Sequence, residues 1–190
     1  MSAPPTALWR RAGEPVAAHD IALALLDRDR YVRTRGVAQQ AARAARAMRA
    51  DRRVRRRLLA AAWLHDVGGH RGPVVAARSL RAAGAEDLAR IVAHCGNAPM
   101  AAALADLPPV VREFPRPSGD DRRVLAMLDA ALVTTRGDGA PGTPADALRD
   151  RAGRAAGADP RVRALVALVA HMADDPAARP LVERLARRGA

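Results

Sequence analysis

Residues 58 to 69 read LLAAAWLHDVGG, an apolar run that ends on a histidine and an aspartate side by side, His65 and Asp66. A neutral imidazole and a carboxylate suit a divalent cation in a mixed nitrogen and oxygen shell, of the kind built around Mn, Fe, Zn, Ni or Mg. At the edge of a core both groups need partners, because burying them unpaired costs several kcal/mol. Two neighbours on a helix point about 100 degrees apart. They converge on one ion only beyond the last turn, and Gly68 and Gly69 mark such an end. The alternative is a histidine bonded to a backbone carbonyl and an aspartate accepting from a neighbouring helix.

The elements that must hold these residues read as helices throughout. Apolar residues make up 49% of the 190, but alanine supplies much of this and aromatics only 2%. A core of Ala, Leu and Val without strand-like alternation predicts an all-α fold, a compact helical bundle. Helices are expected at about 15–27, 30–49, 52–67, 73–83, 86–95, 98–105, 120–135, 144–156 and 160–187. Residues 1–14 read as a loose arm, with Trp9 tucked in, and 15–190 as one domain whose last part, 140–190, is a helical extension. PPVVREFPRPSGDD, residues 108–121, reads as a linker.

No apolar run is long enough to span a membrane, and no charged, apolar and cleavable segment opens the chain, so a cytoplasmic protein without membrane contact is expected. The single cysteine, Cys95, excludes an internal disulfide. A formal charge of +12 makes nucleic acid a candidate partner. There is no lysine, so all 32 basic residues are arginine, and the arginines spread over the whole chain. They are densest in RAARAMRADRRVRRR, residues 43 to 57, which contains no aromatic for stacking on bases. A solvated basic face is the expectation there, and nucleic-acid binding ranks last among the functions considered.

Four segments in order, YVRTRGVA from Tyr31, LLAAAWLHDVGG, LARIVAHCGNA from Leu88 and LDAALVTTRGDG from Leu128, resemble the HD-domain superfamily of metal-dependent phosphohydrolases. Specifically, the chain resembles the small stand-alone HD proteins of high-GC bacteria, over about residues 15 to 150. The resemblance implies a helical bundle around a metal held by an early histidine, the adjacent His-Asp pair and a late aspartate. The pair maps onto His65 and Asp66. Two other positions depart from the pattern. The early histidine is Arg33, whose guanidinium cannot ligate a cation. The late aspartate, two residues before Thr134, is Leu132. Asp129 lies one turn earlier on the same face and is the candidate replacement.

By the same resemblance His94 stands where the family commonly carries site histidines, and His70 lies in the loop that holds extra ligands. His19 and His171 fall outside the matching positions and read as structural. A bound ion would lower the pKa of a water and polarise a phosphoryl oxygen. His65, Asp66, Asp129 and His94 would hold it, and Asp66 and Arg33 would stand at the reacting phosphate. Arg33, Arg35 and His70 would grip that phosphate, on a phosphorylated small molecule or nucleotide. The competing reading is a non-catalytic scaffold, or a module binding an anion or nucleotide, in which Arg33 pairs with Asp66 and no metal is needed. The oligomeric state is not legible from these features.

Overall fold

The computed structural model describes residues 6–68, 72–96 and 110–142. The expected helices at 98–105, 144–156 and 160–187, most of the 140–190 extension, His70 and His171 lie outside the described residues. The fold is all-α. In chain order the described helices are α1 (Thr6–Arg10), α2 (Pro15–Leu25), α3 (Arg28–Ala47), α4 (Arg52–Leu64), α5 (Gly72–Ala82), α6 (Glu86–His94), α7 (Val110–Glu113) and α8 (Gly119–Val133). Among the described residues the nearest thing to a strand is one isolated antiparallel bridge, Thr135 with Pro141. None of these helices is long and apolar enough to cross a membrane.

α4 is the central element, packed against α2, α3, α6 and α8. Its sequence explains that place. The carboxylate of Asp51 caps the start by accepting from the Val54 amide at 2.9 Å, an arrangement that contributes about 1 kcal/mol. The same amide holds the Asp51 carboxyl below its usual range. Four arginines then occupy the exposed side of the first turns, while Val54, Leu58, Ala60, Ala61, Ala62 and Leu64 are fully buried. Alanine at three consecutive core positions lets neighbouring helices approach closely, since each side chain reaches only one carbon from the backbone. α3 starts in the same way, on Asp27 accepting from the Arg30 amide at 2.9 Å.

α3 and α8 close the bundle around α4. The turn that follows α8 rests on α3 at a contact where two glycines meet: a Cβ on Gly36 would stand 2.1 Å from the Gly139 carbonyl oxygen. Gly139 itself has φ +79 and lies against the Val32 carbonyl, so both positions exclude a side chain.

Two expectations need correction. The arm is not loose where described: Thr6–Arg10 is helical, Leu8 packs on the core and Ala12 is fully buried, while Trp9 is tucked onto the core as expected. The linker is likewise part of the core. It contains α7, and Phe114, the chain's only phenylalanine, is fully buried. Arg81 lies over its ring, 3.9 Å from the centroid, and donates to the Glu113 carbonyl at 2.7 Å. Arg78 grips the Glu113 carboxylate with a two-pronged pair of bonds, 2.8 and 2.7 Å. The proline-rich composition signals a lack of regular structure but says nothing about one large aromatic anchor, which is worth about 2 to 3 kcal/mol when buried.

Candidate functional site

α4 ends at Leu64, three residues before the expected end, and His65 caps it in a turn that runs to Gly68. His65 is almost fully buried, at 6% exposure. Its Nδ1 lies 2.8 Å from the Ala62 carbonyl; a carbonyl only accepts, so Nδ1 carries the proton. Asp66, on the next residue, points to α3. There its carboxylate accepts from the guanidinium of Arg33. The two side chains retain 24% and 16% of their exposure, for Arg33 and Asp66 respectively. The contact is charge-assisted and mostly shielded from water, conditions under which such bonds are strongest.

The remaining candidates lie on other partners. Asp129, on α8, accepts from the backbone amide of Gly96 at 2.7 Å, just past the end of α6. His94, the last residue of α6, donates from Nε2 to the carbonyl of Phe114 at 2.8 Å. Leu132 packs on the core from the same helix as Asp129, and its Cδ1 is the nearest group to Gly96 on the side where a Cβ would project. Arg33 and Asp66 are therefore brought together, while Asp129 and His94 are spent on the chain that follows α6. Among the described residues no group of three or more His, Cys, Asp or Glu side chains is placed to hold one ion.

Tested against a divalent cation, the donor set does not fit. The carboxylate meant for the cation already faces a cation, and a metal beside it would put three positive charges around one negative one. Arg33 brings no lone pair that would compensate. The hydroxyl of Thr34, the residue after Arg33 in the chain, is buried and has no hydrogen-bond partner among the described residues.

Arg35, expected beside Arg33 at a phosphate, lies two residues on, about 200 degrees round the helix, and is exposed. It lines a different feature: a shallow groove of about 440 Å³ between α3 and α4, with Tyr31, Ala38, Gln39 and Ala42 on one side, Leu59 and Trp63 on the other, and His19 at the end. His19 Nδ1 lies 3.0 Å from the Asp20 carboxylate and Nε2 lies 3.0 Å from the Tyr31 hydroxyl. With a carboxylate on Nδ1, the neutral imidazole carries its proton there and accepts from the Tyr31 O–H at Nε2. The rings form a cluster: His19 meets Trp63 edge-on at 4.7 Å, and Tyr31 and Trp63 stack at 6.0 Å with 23° between planes.

None of these three was legible as a site residue. His19 reads as a structural residue near a helix start, and its partners come from two other helices. The signal available was scarcity: with one Tyr and two Trp in 190 residues, any pair of them in contact stands out. Comparison with protein-family models, with curated proteins and with solved structures gives no match.

Proposed function

We propose that this chain is a non-catalytic relative of the HD-type helical bundle, in which the Arg33–Asp66 pair stands where the metal of the hydrolases would be, and that it acts by binding rather than by hydrolysis. The observation that carries this reading is the Arg33 guanidinium bonded to Asp66 across the α3–α4 interface. The engagement of Asp129 by Gly96 and of His94 by Phe114 supports it, since both expected partners of the His-Asp pair are occupied elsewhere. Phosphoester hydrolysis of the metal-dependent kind needs an ion with an open position for water. Here Arg33 would have to leave Asp66 before one could enter.

The test is a turnover screen of the full chain with phosphomonoesters and nucleotides, each with Mn, Mg, Fe, Zn or Ni added. No hydrolysis above that of the His65→Ala, Asp66→Ala double variant is expected. Metal-dependent turnover that the double variant loses would overturn the proposal and restore the hydrolase reading.

A further inference from the structure

The α3–α4 hairpin carries a second feature that the Arg33–Asp66 pair does not use. The arginine run from 43 to 57 has no aromatic within it, but the fold supplies two from just outside. Tyr31 stands on the first turn of α3 and Trp63 on the last turn of α4, and the antiparallel hairpin brings these ends together. Half of the chain's four Phe, Tyr and Trp residues thus line one solvent-open groove, both half-buried and Trp63 also packed on the core.

From that aromatic end, helical spacing continues the groove into cations. On α3 the lining residues Tyr31, Arg35, Gln39 and Ala42 are followed, one turn on, by Arg46. On α4 the lining residues Trp63 and Leu59 are followed, at the same spacing, by Arg55, whereas Arg52, on the first turn, lines a separate cleft with Gly13, Arg56 and Asp87. Arg35, Arg46 and Arg55 are exposed and none makes an ion pair with a described residue. They differ in this from Arg57 on the same helix, which is bridged to Asp87 and Asp121. The acidic contact among the groove's lining residues is Asp20, and His19 holds it.

A row of unneutralised arginines beside a stacking platform is what a single strand of nucleic acid requires: cations for successive phosphates and π-faces for its unpaired bases. From Tyr31 to Arg46 the track runs about 22 Å along α3, long enough for a few nucleotides. A duplex buries its base faces in its own stack and would leave Tyr31 and Trp63 unused. We infer that the α3–α4 face binds single-stranded nucleic acid, with bases against Tyr31 and Trp63 and phosphates along Arg35, Arg46 and Arg55. This inference does not depend on the metal-free reading of the Asp66 site.

The test is fluorescence anisotropy of the full chain with a labelled oligothymidylate of about eight nucleotides, beside the same sequence as a duplex and thymidine monophosphate as competitor. Saturable binding is expected at low salt, at least tenfold tighter for the single strand than for the duplex. If all three arginines meet phosphates, log K should fall against log salt with a slope of about −2. The Arg35→Glu, Arg46→Glu double variant should lose at least tenfold in affinity. Arg112→Glu, Arg116→Glu, which removes the same charge from exposed positions around α7, should stay within about twofold of wild type at matched salt. Tyr31→Ala should weaken binding and reduce the preference for the single strand. Equal losses in the two charge-reversed variants, equal affinity for the duplex, full competition by the mononucleotide at equal concentration, or no saturable binding would each overturn the inference.

Discussion

Removing either member of the Arg33–Asp66 pair should destabilise the bundle, and removing both should cost little more than removing one. Exposed ion pairs are worth about 0 to 1 kcal/mol, whereas stripping one partner from a fully buried pair costs about 3 to 5 kcal/mol. With 24% and 16% of the side-chain surface left, this pair lies between those limits and nearer the buried one. Asp66→Ala or Arg33→Ala should therefore each cost about 2 to 3 kcal/mol, by leaving a mostly shielded charge without its counter-ion. The Ala–Ala double variant should cost about the same as either single, a coupling of about 2 kcal/mol in a double-mutant cycle. Arg33→Met with Asp66→Leu, which keeps volume and removes both charges, should lie within about 1 kcal/mol of wild type. The assay is denaturant unfolding of wild type and the four variants, with thermal midpoints as a check; at this size 1 kcal/mol moves a midpoint by about 2 to 4 °C. Additive single effects, with coupling below about 0.5 kcal/mol, would mean that the two side chains are independently solvated and do not act as a shielded pair.

Three further outcomes follow from the packing. Gly36→Ala should destabilise by about 1 to 3 kcal/mol in thermal unfolding, although helix propensity alone favours alanine by about 1 kcal/mol, because the new Cβ would sit 2.1 Å from the Gly139 carbonyl; a stabilised variant would show that the turn moves away freely. Thr34→Val should be neutral or stabilising by up to about 1 kcal/mol, since the buried hydroxyl it removes has no partner among the described residues; a loss above that in denaturant unfolding would reveal a hydrogen bond to the rest of the chain. The forked bond from Arg78 holds the Glu113 carboxyl below its usual range, so its contribution is present above the ordinary carboxylate pKa and is lost as pH falls through the lowered value. The acid side of the stability profile should accordingly be shallower in Glu113→Gln than in wild type, and identical profiles would contradict that role.

How much of this was readable beforehand depends on the range of the interaction. Helix starts were legible because their signals are local: Asp27 and Asp51 cap α3 and α4 within three residues of themselves, and Pro15 opens α2 at its first position. Starts and ends generally fall within two or three residues of those expected, the largest displacement being at α4, where His65 turns back to the Ala62 carbonyl and closes the helix early. The pairing of Arg33 with Asp66 was legible as one of two alternatives, because an arginine in place of a ligand leaves the carboxylate one obvious partner. The destinations of Asp129 and His94 were not, since Gly96 and the Phe114 carbonyl offer backbone groups that no side-chain pattern marks. The Gly36–Gly139 contact, the docking of Phe114 and the ring cluster of His19, Tyr31 and Trp63 share that property. Each joins elements distant in the chain, and each depends on how helices pack and not on periodicity within one of them.

The proposed replacement of a cation by Arg33 at Asp66 has a direct test. The direct measurement is the metal content of the full chain purified without chelator and then incubated with excess Mn, Fe, Zn, Ni or Mg, beside the His65→Ala, Asp66→Ala double variant. Far less than one equivalent of any metal is expected in either protein, with no metal-induced rise in the melting temperature. Near-stoichiometric metal in the wild type that the double variant loses would contradict the replacement.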